Sequence, residues 1–163
     1  MTIYGLQFDS IAPLPFTPAL QAHYVDGPVS KWPGKITYGR GWVWIDATGA
    51  SPKAAFWRDI EQGDGTPADF PGWLDQRHAA GLGWGGGYCS RDLLPDMIRC
   101  AGARPWSLWL ATLDGTTDPG LTLPSTVTLV AVQAFPAAMG MSGPVPADVS
   151  VVVDQAYWNE RHA

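Results

Sequence analysis

Basic residues are scarce in this sequence, and they are not clustered. Ten Lys and Arg stand against fifteen Asp and Glu, which gives a formal net charge of -5 and a pI near 4.9. Because phosphate backbones and anionic lipids are bound by grouped Lys and Arg, we expect neither nucleic acid nor a membrane as a partner. The sequence also lacks an apolar run of about 18 residues that could cross a bilayer. The start of the chain shows no basic and apolar regions of a secretory signal, so we expect none.

Cysteine and glutamate are rare as well. Cys89 and Cys100 are the only cysteines and lack the spacing of a zinc or redox motif, so we expect two thiols and no metal. Residues 81–86 match GxGxxG, but they follow a predicted helix and precede a predicted strand, the reverse of a dinucleotide-binding turn. We therefore predict no cofactor. The only glutamates are Glu61 and Glu160.

Glycine, proline and tryptophan, by contrast, are abundant. The 19 Gly and 15 Pro predict many short elements joined by tight turns. With 163 residues, 46% of them hydrophobic, the chain is expected to form one globular domain over residues 1–163. Nine Trp suit either a surface that stacks on sugar rings or binds a protein, or an aromatic core. Composition leaves both alternatives open.

Short apolar runs, each followed by a polar residue and a loop, recur along the whole chain. Eight of them read as strands, at residues 3–8, 22–25, 42–45, 54–60, 84–89, 106–110, 127–132 and 149–153. Helical patterns lie between some of them, at residues 67–80 and 91–100. Such alternation favours parallel strands. We predict an α/β fold, a compact, irregular (β/α)8-like (TIM-type) barrel with some helices shortened or missing; an open sheet is the alternative.

Acidic residues stand at the ends of five of these runs. In a barrel of parallel strands, the C-terminal strand ends converge on one mouth, where ligands bind. The first and last runs become neighbours when a barrel closes, so acids that follow them are expected to meet at this mouth. The acids at run ends are Asp9, Asp26, Asp46, the pair Asp59 and Glu61, and Asp154.

The pair Asp59 and Glu61 is the sharpest local signal. Residues two apart on a strand face the same side, so both carboxyls are expected to point into one cleft. Paired carboxyls of this kind carry out glycoside hydrolysis, in which one donates a proton and another handles developing positive charge. The alternative is two solvated acids that pair with Arg58 or Arg77.

Several short motifs follow one another along nearly the whole chain. They are Gly5-Leu6-Gln7-Phe8-Asp9, Asp59-Ile60-Glu61, Gly87-Tyr88-Cys89-Ser90, Leu108-Trp109-Leu110-Ala111, Val132-Gln133-Ala134-Phe135 and Val153-Asp154. In this order they resemble the glycoside hydrolase family 25 type of lysozyme. Tyr24-Val25-Asp26-Gly27 and the continuation of Asp59-Ile60-Glu61 to Pro67 resemble more closely the glycoside-hydrolase-like domains of actinobacterial proteins and their phages.

This resemblance implies hydrolysis of the bond between N-acetylmuramic acid and N-acetylglucosamine in peptidoglycan or another cell-wall glycan. It makes Glu61 the general acid and gives Asp59 the task of orienting substrate or stabilising charge. Asp9 and Asp154 become supporting catalytic carboxylates. The residues expected to bind substrate are Tyr88, Trp109, Gln133, Asp26 and Asp46.

A second hypothesis is that the chain forms the same barrel but does not hydrolyse glycan. Gln155-Ala156 departs from the family pattern after the last acid, and the loop at residues 136–146 is an addition rich in Pro and Met. These departures favour a non-catalytic cell-wall-binding or structural module, such as a minor tail component of a phage that contacts other tail proteins. The expected location is then a virion or a phage-lysin setting, or otherwise the cytoplasm.

Overall fold

The computed structural model describes residues 1–9, 19–25, 41–112, 114–134 and 148–162. Eight strands in these ranges form a closed barrel in which sequence neighbours pair and β8 returns to β1. The predicted eight strands and their closure are therefore confirmed. The strands are β1 (Gly5–Asp9), β2 (Leu20–Tyr24), β3 (Gly41–Asp46), β4 (Trp57–Ile60), β5 (Gly86–Ser90), β6 (Trp106–Ala111), β7 (Val127–Ala134) and β8 (Asp148–Val152).

The last strand departs from the prediction of uniform parallel pairing. Strands β1 to β7 pair in parallel, but β8 is antiparallel to both of its neighbours, β7 and β1. Its first residue, Asp148, is opposite Asp9, whereas Val152 is opposite Gly5. The beginning of β8 therefore lies at the mouth formed by the C-terminal ends of the other strands. Its end lies at the opposite face of the barrel.

Three helices occur in the described residues: α1 (Phe70–Ala79), α2 (Leu94–Ala101) and α3 (Gln155–His162). The first two correspond to the predicted helices, each beginning about three residues later, and α3 was not predicted. Helix α1 begins after Asp69, whose carboxyl accepts a hydrogen bond from the Thr66 hydroxyl at 2.6 Å. None of the described helices has the length and apolar character required to span a bilayer.

Two apolar clusters hold the barrel together. The outer cluster packs Phe70, Leu74 and Met97 of the helices against outward-facing side chains of β4 to β6. The inner cluster fills the barrel with residues from nearly every strand, including Trp57 and Trp109, which meet edge to face. Burial of these large side chains is the main source of the fold's stability. Several of the tryptophans, including Trp57, Trp73, Trp106 and Trp109, are therefore buried in the core.

Helix α3 closes the face opposite the mouth. Tyr157 is 5% exposed, and its hydroxyl accepts a hydrogen bond from Trp57 Nε1 at 3.1 Å and donates one to Gln7 Oε1 at 2.8 Å. Trp158 lies against Gly5, where any β-carbon would collide with the indole.

Candidate functional site

Three carboxyl groups meet at the C-terminal end of β4. Asp59 lies in the strand, Glu61 follows it, and a turn returns Asp64 towards them, with the Asp64 amide donating to the Glu61 carbonyl at 3.1 Å. Gly63 occupies this turn with φ of 102°, a conformation that glycine adopts readily. One carboxylate oxygen from each of the three acids lies within 4.8 Å of the others. Asp59 and Glu61 therefore do share one site, and Asp64 joins them.

Asp59 is the most deeply buried of these three acids. Its residue is 1% exposed, and Tyr24 donates a hydrogen bond to Oδ2 at 3.0 Å, while Oδ1 has no hydrogen-bond partner among the described residues. The pKa of Asp59 is raised to about 7, mainly by burial and in addition by the charges of Glu61 and Asp64. Asp59 therefore retains a proton over much of the acidic range.

Glu61 is more accessible than Asp59. It borders an open cavity of about 440 Å³ together with Gln62, Ser90, Asp92 and Leu93. Partial burial raises its pKa, the charges of Asp64 and Asp148 act in the same direction, and a hydrogen bond from Tyr88 opposes them. The cavity falls in the size range of pockets that hold small ligands. Glu61 thus presents a carboxyl of raised pKa to a space that a ligand can enter.

Asp148 completes the acidic mouth and was not predicted. Because β8 is antiparallel, its first residue reaches the mouth and contributes to the raised pKa of Glu61. Gln133, at the mouth end of β7, forms a hydrogen bond to Asp148, whose own pKa is raised by partial burial. A signal was present in the sequence: parallel pairing needs a crossover, usually a helix, and the Pro-rich residues 136–146 show no helical pattern.

The expected place of Asp154 at the mouth is wrong for the same reason. Asp154 follows β8 at the opposite face, where its Oδ1 accepts a hydrogen bond from the Tyr157 amide at 2.6 Å and so caps α3. It can have no contact with a ligand at Glu61. Its role is to begin the helix that closes the barrel.

Two residues expected to bind substrate are enclosed instead. Trp109 is 0% exposed inside the barrel, where its Nε1 donates to Ser150 Oγ at 2.8 Å. Asp46 is also 0% exposed, and its carboxyl accepts hydrogen bonds from the Gly49 and Ser51 amides and from Trp73 Nε1 at 2.6, 2.8 and 2.8 Å. Both side chains are therefore parts of the core, and the prediction of direct substrate contact is wrong for them.

The remaining expected site residues divide into two groups. Tyr88 and Gln133 are at the mouth, 8% and 6% exposed, beside Glu61 and Asp148 respectively. The Gln133 Oε1 has no hydrogen-bond partner among the described residues. Asp26 and the side chain of Asp9 lie outside the described residues.

The structure does not show the alternative in which Asp59 and Glu61 pair with Arg58 or Arg77. Arg58 donates to the carbonyls of Asp46 and Ala47 at 2.8 and 2.5 Å, and Arg77 donates to backbone carbonyls beyond them. The charge of Arg58 lowers the pKa of Asp59 as the smallest of its causes, but neither guanidinium is hydrogen-bonded to these acids in the described residues. The oxygen-only set of Asp59, Glu61 and Asp64 is also of the kind that hard cations accept; the prediction of no metal stays a prediction.

Comparisons with known proteins give one similar solved structure. No protein-family model matches the chain, and no curated protein sequence matches it. A muramidase from Acremonium alcalophilum is similar in structure, with a TM-score of 0.49 and 14% identity, over 94% of this chain and 96% of that one.

Proposed function

We propose that this protein hydrolyses the glycan strands of peptidoglycan, with Glu61 as the general acid. One observation carries the proposal: Glu61, whose pKa is raised by burial and by neighbouring acids, borders an open cavity of about 440 Å³ at the barrel mouth. A general acid must hold its proton near the working pH and reach the leaving oxygen. The choice of peptidoglycan follows the sequence motifs that resemble family 25 lysozymes.

The acids at the mouth divide the chemical work between them. Glu61 transfers its proton to the glycosidic oxygen as the bond from that oxygen to the anomeric carbon breaks. Positive charge develops on the sugar ring, and the carboxylate of Asp148 is placed to stabilise it. Water then supplies the hydroxyl group to the anomeric carbon, and its remaining proton returns to Glu61.

Asp59 assists this chemistry without contacting the sugar. At 1% exposure it cannot reach a ligand, but its charge and proton couple to those of Glu61. Tyr88 and Tyr24 each form a hydrogen bond to one of these two carboxyls and hold it in place. Asp59 is therefore a positioning residue of the proposed reaction.

Substitution of Glu61 tests the proposal directly. Glu61→Gln removes the transferable proton and keeps the side-chain shape, so we expect release of new reducing ends from purified glycan strands to fall about 100-fold or more. Glu160→Gln is the matched control, since Glu160 is the only other glutamate and its side chain is 69% exposed on α3. Equal cleavage by the wild type and Glu61→Gln would eliminate the proposal.

A module that binds cell-wall glycan without cleaving it is the second candidate. The burial of Asp59 and Trp109 favours it, because one carboxyl of the acid pair and the expected aromatic platform are both withdrawn from the ligand. In that case the wild type sediments with insoluble peptidoglycan but releases no new reducing ends. A phage setting for either function stays a prediction from the sequence.

A further inference from the structure

A small cationic cavity lies at the end of the barrel opposite the acidic mouth. Its volume is about 150 Å³, and its lining includes Lys53, Arg77, Arg161, Trp44 and Phe56. Arg161 belongs to α3, the helix that closes this end, and its carbonyl packs against Gly41 at the start of β3. The cavity is therefore separate from Glu61 and its neighbours.

The charge of this cavity contrasts with that of the whole molecule. Three of the ten basic residues line it, in a chain whose net charge is -5, and no carboxylate of the described residues is in its lining. Glu160 forms an ion pair with one of these residues, with its Oε1 at 3.5 Å from Arg161 Nη2, and its side chain is exposed. Three positive side chains and the one negative charge of Glu160 leave the cavity with a net positive charge.

The two arginines are held close together although they repel each other. Both guanidinium groups lie over the Phe56 ring, at 5.5 Å for Arg77 and 4.5 Å for Arg161. Burial lowers the pKa of Arg77, and the charge of Arg161 lowers it further. Their Nε atoms are both buried, and neither has a hydrogen-bond partner among the described residues. Unpaired buried donors on two like charges are costly unless an acceptor joins them.

Arg77 is fixed in place by the backbone. Its Nη1 donates to the carbonyls of Pro52 and Ala55, and its Nη2 donates to the Leu82 carbonyl at 3.2 Å. This guanidinium therefore cannot turn away from Arg161 to relieve the repulsion. The positive site is built into the fold, with Lys53 and Arg161 as its adjustable members.

We propose that this cavity binds a phosphate group, either as free phosphate or as part of a larger molecule. Two guanidinium groups and one ammonium group, offset by one exposed carboxylate, leave about two positive charges, which match a phosphate dianion better than a carboxylate. Arginine is well suited to phosphate because its planar donors fit the oxygens. A space of about 150 Å³ equals roughly five water volumes, which is enough for a compact oxyanion.

Titration with inorganic phosphate tests the proposal, with sodium chloride at equal ionic strength and sodium acetate as reference anions. Calorimetry would measure affinity, and the indole NMR signal of Trp44, assigned with Trp44→Phe, would locate the binding. We expect saturable phosphate binding that Arg161→Gln and Lys53→Ala each weaken about tenfold or more, the loss typical of a charge-assisted hydrogen bond. Ethyl phosphate would then show whether an esterified group is accepted as well as the free ion.

Arg99→Gln is the matched control, since it removes the same charge from an arginine whose side chain is 72% exposed on α2. Phosphate affinity should stay within twofold of the wild type in this variant. An equal loss in Arg99→Gln, equal binding of acetate and phosphate, or no response of Trp44 to phosphate would overturn the proposal. Cleavage of glycan by Glu61 is a separate measurement, so failure of either proposal leaves the other standing.

Discussion

Asp59→Asn should make the protein more stable at alkaline pH, even though it alters the proposed active site. The Asp59 carboxyl is 1% exposed, and its pKa is raised by burial from 3.8 to about 7. Between these two pH values the folded protein holds a proton that the unfolded chain has lost. The stability gained from Asp59 is therefore complete below pH 3.8 and is lost as the pH rises through 7.

The size of this effect follows from the shift in pKa. A difference of about three pKa units corresponds to roughly 4 kcal/mol, at 1.36 kcal/mol per unit, as an upper bound. Asparagine has nearly the same shape and cannot ionise. We expect the free energy of unfolding of Asp59→Asn, relative to that of the wild type, to be larger by about 2 to 4 kcal/mol at pH 8 than at pH 4.

Urea unfolding followed by tryptophan fluorescence at pH 4, 6 and 8 would measure this difference. Asp118→Asn is the control, because the Asp118 side chain is 60% exposed and removal of its charge should change the same comparison by no more than about 0.5 kcal/mol. The difference in unfolding free energy between Asp59→Asn and the wild type could prove equal at pH 4 and pH 8. That result would refute the conclusion that burial raises the pKa of Asp59.

Two further predictions concern neighbouring acids. Asp64→Asn removes a charge within 4.8 Å of Asp59 and should lower the pKa of Asp59. Carboxyl ¹³C NMR would measure this pKa, and an unchanged or raised value would contradict the geometry. Asp46→Asn should lower the free energy of unfolding by about 2 to 3 kcal/mol, because its carboxyl accepts three hydrogen bonds. Glycan cleavage per folded molecule should be unaffected, and weaker glycan binding by a fully stable Asp46→Asn would show that Asp46 contacts substrate after all.

The local pattern of the chain was enough to predict the strands and the pairing of Asp59 with Glu61. Alternating apolar runs with polar ends predict strands because side chains on a strand alternate between two faces. The same alternation predicts that Asp59 and Glu61 share a side, and in the structure their carboxyl oxygens lie within 4.8 Å. These are contacts between residues close in sequence, so backbone geometry alone settles them.

Contacts between distant residues were beyond such reasoning. Trp109 and Asp46 have the residue types of a sugar-binding surface, yet both are 0% exposed. Whether an indole faces a cleft or a core depends on which side chains come from other strands, here Ser150 for Trp109 and Trp73 for Asp46. A single strand carries no information about those partners.

The sequence by itself determined an eight-stranded chain with an acidic pair at the end of the fourth strand, because strand propensity and side-chain alternation are local properties. Only the tertiary structure decided which other acids join that pair. The antiparallel direction of β8 brings Asp148 to the mouth and sends Asp154 to the opposite face. Strand direction is a property of the closed barrel, since it depends on how the last strand fits between β7 and β1.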